Sequence, residues 1–81
     1  MRLIYVIGRS WEHCDGWIRG ANERFARGVV LQAMPLGRAL ADLLGAGRGM
    51  SVVAVEGVEL DPRWDEVQGV LVSRGAVWIA S

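Results

Sequence analysis

Lysine is missing from this chain, cysteine and histidine occur once each, and proline occurs twice. A single thiol, Cys14, excludes a disulfide scaffold. One His and one Cys leave too few soft ligands for a structural zinc site, so no metal and no cofactor is expected. No apolar run approaches the ~18 residues that a membrane span needs. Met1 and Arg2 lead straight into a strand-like segment without a cleavage pattern, so no signal peptide is expected and the location expected is cytoplasmic. A net charge is missing as well: nine Arg balance nine Asp and Glu. A neutral chain lacks the clustered positive charge that nucleic-acid binding needs. The use of Arg to the exclusion of Lys reads as a genomic GC bias, and it leaves surface ion pairs with carboxylates open.

What is present is apolar: 52% of the 81 residues are hydrophobic. That is too many for disorder, and the length makes one domain, residues 1–81. A chain this short buries only about 60–65% of its unfolded surface. Some apolar side chains must therefore stay outside the core, where a second copy or a partner would cover them.

Residues 3–7 (Leu-Ile-Tyr-Val-Ile) form a continuous apolar run, the pattern of a strand buried on both faces. Ser10 then offers a helix N-cap, with Glu12 in the first turn. Cys14, Trp17, Ile18, Ala21 and Phe25 share one helical face. Asp15–Arg19 and Glu23–Arg27 are spaced to pair along the helix. Gly16 and Gly20 are expected to form a smooth strip against the sheet, and Gly28 to end the helix. A short second strand runs from Val29 to about Ala33. Pro35 opens a helix at its first position, with Leu36, Ala39, Leu40, Leu43 and Leu44 on its apolar face and Arg38–Asp42 outside. Gly45, Gly47 and Gly49 make the turn after it. Met50–Val55 is a third strand and Glu56–Leu60 an extended loop. Asp61-Pro62 starts a last helix carrying Trp64, Val67, Val70 and Leu71, with Asp65 and Glu66 in its first turn. Gly75 stops it, and Ala76–Ala80 closes the chain as a strand.

The order β-α-β-α-β-α-β predicts a small four-stranded, mainly parallel sheet with helices on both faces. This is a truncated doubly wound, Rossmann- or flavodoxin-like, three-layer α/β fold. The first strand is expected inside and the last at an edge. If the short second strand failed to pair, a three-stranded layer would remain.

In such sheets ligands bind beyond the carboxyl ends of the strands, where the strand order reverses. That rule selects Arg9 and Ser10 after the first strand, and Glu56 and Glu59 after the third. A helix start capped by Ser10 with Arg9 beside it could take a phosphate or carboxylate, or be an ordinary cap beside a surface Arg. Neither standard nucleotide loop is present. His13, Cys14 and Asp15 are contiguous, but successive helical residues point ~100° apart and cannot converge on one atom. Cys14 then reads as a small core residue and His13 as solvent-facing. The carboxylates Glu56, Glu59, Asp61, Asp65 and Glu66 read either as cation ligands or as a solvated loop beside a helix N-terminus.

The four tryptophans carry more information. Trp17 and Trp64 fall on core faces by period. Trp11 sits at a helix start, off the apolar stripe, and Trp78 in the last strand. Trp is enriched where proteins touch. The expectation is a non-enzymatic interaction module that self-associates or binds another protein, using Trp11 and Trp78 with Arg9 at the rim. Substituting Trp78 by Ala is expected to lower stability and association together. The alternative is a protein binding a small ligand, nucleotide or anion through Arg9, Ser10, Glu56 and Glu59.

Residues 3–10 (Leu-Ile-Tyr-Val-Ile-Gly-Arg-Ser), 61–67 (Asp-Pro-Arg-Trp-Asp-Glu-Val) and 73–79 (Ser-Arg-Gly-Ala-Val-Trp-Ile) resemble short α/β proteins encoded by bacteriophages of high-GC actinobacteria. The resemblance covers most of the chain. It implies a cytoplasmic protein made during infection, with a host protein as partner and modulation of that host protein as its role. It assigns no site residues, because that group has no motif to match.

Overall fold

A computed structural model of the protein describes residues 2–21 and 28–79. The described strands are β1 (Arg2–Gly8), β2 (Val29–Pro35), β3 (Ser51–Ala54) and β4 (Val77–Trp78). The described helices are α1 (Trp11–Ala21), α2 (Leu36–Leu44) and α3 (Trp64–Ser73), with a 3-10 turn at Val58–Leu60. All strand pairs are parallel, in the order β2-β1-β3-β4. The expected small α/β sheet is present, with β1 inside and β4 at an edge. The second strand pairs with β1 over its full length, from Arg2 opposite Val29 to Gly8 opposite Pro35.

The alternation of β1 splits the core into two layers. Ile7, with Tyr5 beside it, packs with Met34, Val52, Leu36, Ala39, Leu43, Trp64, Val67 and Leu71, the buried stripes of α2 and α3. Val6 and Val55 pack instead with Cys14, and Trp17, Ile18, Leu31 and Ala33 lie against them. So α1 covers one face of the sheet and α2 with α3 covers the other. Continuous apolar runs in β1 and β3 follow from that, because both faces of a central strand must be apolar.

Several local expectations are corrected. Gly16 and Gly20 do not face the sheet: both are exposed, and nothing lies within 4 Å of where a Cβ would stand. The close approach of α1 falls at Gly8, where a Cβ would meet Cys14 Sγ at 3.0 Å and Cys14 N at 3.2 Å. Pro35 is the extended N-cap of α2 (φ −67°, ψ 148°) rather than its first residue, so the helix begins at Leu36, one residue later than expected. Leu44, at the rim of the α2 stripe and in its last turn, is 75% exposed. Residues 56–60 are not extended: Gly57 takes φ +94° and turns the chain into the 3-10 turn, which buries Val58. α3 starts at Trp64, because Asp61-Pro62-Arg63 form a turn in which Asp61 Oδ1 accepts from the Arg63 N–H at 2.9 Å. β4 is two residues long rather than five. Phe25 and the Glu23–Arg27 pair lie outside the described residues, as does Ala80.

Candidate functional site

The first and third strands deliver their loops to the same end of the sheet. Val55 N–H donates to Ile7 O at 2.8 Å, and a Cβ on Gly57 would stand 3.8 Å from Arg9 Cδ. Arg9 is exposed there. Ser10 caps α1: its Oγ accepts the His13 N–H at 3.3 Å and lies 2.7 Å from His13 Nδ1. The hydroxyl is thereby committed within its own helix turn, the ordinary work of an N-cap. Glu56 and Glu59 are exposed beside this loop.

The carboxylate that carries the local electrostatics is Asp61. Arg63 forks onto it, Nε at 3.0 Å and one terminal nitrogen at 2.8 Å. Those hydrogen bonds, with the nearby charges of Arg63 and Arg9, pull the Asp61 carboxyl from 3.8 down to about 2. Cys14 is the opposite case. Its thiol is fully buried and donates to Val6 O at 3.3 Å, and burial pushes its pKa up. A protonated, enclosed thiol is a poor nucleophile. Among the described residues no three His, Cys, Asp or Glu side chains gather as metal ligands, and no helix is long and apolar enough to cross a membrane.

A recess lies elsewhere, along the β2 side of the sheet. On the α2 face of β2, Met34 is buried against α2 and α3, whereas Val30 and Gln32 are exposed. There Tyr5, Gln32, Met34 and Leu3 form the floor of a cavity of about 460 Å³, with Ala41, Asp42 and Arg38 of α2 as one wall. Trp11, at the start of α1, closes one end. The Arg38 guanidinium stands 5.8 Å from the centre of the Trp11 ring, a cation–π contact. Arg38 is also 3.9 Å from Asp42, so the wall carries no net charge. Leu3 pairs with Val30 across the strands, and both are exposed, at 43% and 39%.

Of the residues singled out from sequence, Trp11 is at this recess and the others are not. Arg9 and Ser10 lie at the β1–β3 end of the sheet. Trp78 sits in the opposite edge strand, 42% exposed, its ring edge-on to Trp64 at 5.9 Å. Two strands separate β4 from β2, so Trp11 and Trp78 do not share a surface. Arg38, Leu3 and Val30 were missed. Leu3 and Val30 carried a usable signal, since each is an apolar residue followed at i+2 by a more polar one, Tyr5 and Gln32. Comparison with known proteins finds no matching family model, no matching curated protein and no matching solved structure.

Proposed function

We propose that this chain is a small protein-interaction module, acting by self-association or by binding another protein through the β2 side of its sheet. One observation carries the reading: Trp11, Leu3 and Val30 leave an apolar surface at 47%, 43% and 39% exposure beside a seven-residue edge strand. A small domain has little to gain by displaying a tryptophan and a bare sheet face unless something covers them. Trp11 with Arg38 supplies the pairing of aromatic and guanidinium groups that dominates binding energy at protein contacts. A host protein as partner is what the likeness to phage-encoded proteins implies.

The test compares the native chain with Trp11→Ala by size-exclusion chromatography with light scattering, alone and after mixing with lysate of the native host. A complex that the native chain forms, with itself or with one protein, and that Trp11→Ala weakens at least tenfold supports the reading. A native chain that stays monomeric and forms no Trp11-dependent complex in either arm overturns it.

A further inference from the structure

The backbone of β2 says more about the occupant than its side chains do. Arg2 N–H donates to Gly28 O at 2.7 Å. In a parallel ladder a residue that donates to one neighbour accepts from the residue two further on, and alternate residues bond to alternate sides. The even residues of β1 therefore bond to β2. The odd ones bond to β3, which Ile7 O accepting from Val55 N–H bears out. On β2 the register then turns Val30, Gln32 and Met34 inward to β1. Val29, Leu31 and Ala33 aim their N–H and C=O groups outward, and among the described residues no strand pairs with them.

We infer that this edge pairs with the β2 edge of a second copy of the chain, antiparallel, about a two-fold axis through Leu31. This rests on the interaction reading above and names its occupant. Three outward residues at even spacing are self-complementary under that axis. Leu31 meets the partner's Leu31 and Val29 meets the partner's Ala33, each pair exchanging two hydrogen bonds. On the α2 face Val30 then stands opposite the partner's Gln32.

Charge points to the same occupant. Natural edge strands are guarded by charged side chains, prolines in the pairing stretch or bulges. Val29–Met34 has no charged residue and no proline, the strand's one proline being the terminal Pro35, and its pairing with β1 has no bulge. Arg38 and Asp42, the charges above it, pair with each other. An acidic or basic peptide finds no counter-charge here, whereas a second Val-Val-Leu-Gln-Ala-Met strand needs none. A head-to-tail array is disfavoured by the other edge. In β4, a two-residue strand, Val77 and Ile79 bond to Met50 O and Val52 O, so among the described residues of that strand Trp78 is the one with outward groups.

Sedimentation equilibrium of the full chain tests the pairing. The native protein is expected to be dimeric. Val30→Glu with Gln32→Glu sets carboxylates opposite carboxylates and weakens the dimer at least tenfold, because like charges directly opposite repel. Val30→Lys with Gln32→Glu makes the same positions complementary and restores it, which also shows that substitution there is compatible with folding. The axis is tested by mixing Val30→Cys chains with Gln32→Cys chains under mild oxidation. Facing residues of a non-hydrogen-bonded pair lie about 4.5 Å apart, within disulfide reach. A cross-link in the mixture, absent from either variant alone, is the expected result. A native monomer at millimolar concentration overturns the inference, while a Trp11-dependent complex with another protein would leave the interaction reading standing. A dimer indifferent to the double Glu variant, or one without the mixed cross-link, also overturns the edge pairing and leaves self-association in place.

Discussion

At the scale of single residues, Gly8 and Asp61 fix the end of the sheet where the loops converge. Gly8 is needed for space, because the α1 backbone passes so near that a methyl group would meet both Cys14 Sγ and Cys14 N. The sulfur can be trimmed away but the backbone nitrogen cannot. Gly8→Ala is therefore expected to destabilise the fold by about 2 kcal/mol, an overpacking cost. Cys14→Ala in the same chain should return part of it. In a double-mutant cycle by chemical denaturation the pair would cost less than the sum of the two single changes. Additive costs would show that the sulfur contact is not the one that matters. Asp61 makes stability depend on acid. Its carboxyl titrates at about 2 in the fold against an ordinary 3.8. A group with a lowered folded pKa contributes stability that is complete above its unfolded value and is lost as pH falls through the folded one. The Asp61 contribution is thus constant at neutral pH and disappears between about pH 4 and pH 2. Melting curves of Asp61→Asn should lack that part of the acid sensitivity seen in the native chain, and identical pH profiles would refute the assignment.

At the scale of elements, the helices show what periodicity delivers and what it leaves out. The 100° step that puts Cys14, Trp17, Ile18 and Ala21 on one face puts Gly16 on the far side. Gly16 is exposed, with open space where a Cβ would be. Gly16→Ala should therefore stabilise α1 by about 1 kcal/mol, a rise of about 4–8 °C in Tm for a domain of this size. A fall in Tm would mean that α1 has a neighbour on that face. The unbroken apolar runs of β1 and β3, the stripes of α2 and α3, and the stop at Gly75 (φ +67°) were legible because each is a local pattern with a local cause. The turn at Gly57 and the late start of α3 were not. Both depend on contacts made around them, Val58 in the α2–α3 core and Arg63 folded back onto Asp61.

At the scale of the whole molecule, the surface is set by strand order, and this is why the recess was hidden from sequence reading. Trp11 stood out as an aromatic off its helical stripe. Its partner Arg38 lies on another helix, brought beside it because β1 and β2 are neighbours in the sheet and the helices that follow them, α1 and α2, start at the same end. No local pattern encodes that. The same topology puts two tryptophans of similar exposure in different surroundings. Trp11 borders the open β2 side, whereas Trp78 leans on Trp64 and helps hold a two-residue strand against β3. Trp78→Ala removes a half-exposed ring and an edge-to-face pair. The expected loss is about 2 kcal/mol, roughly half from area and half from the ring contact. If the interaction surface is the β2 side, Trp78→Ala lowers Tm while the dissociation constant of the assembly, measured well below the melting range, stays within about threefold of native. Trp11→Ala does the reverse, since its ring contributes to a contact more than to the core. A Trp78→Ala chain that melts normally but no longer associates would move the interface to the β4 edge, two strands away, and would remove the reason for assigning it to the β2 side.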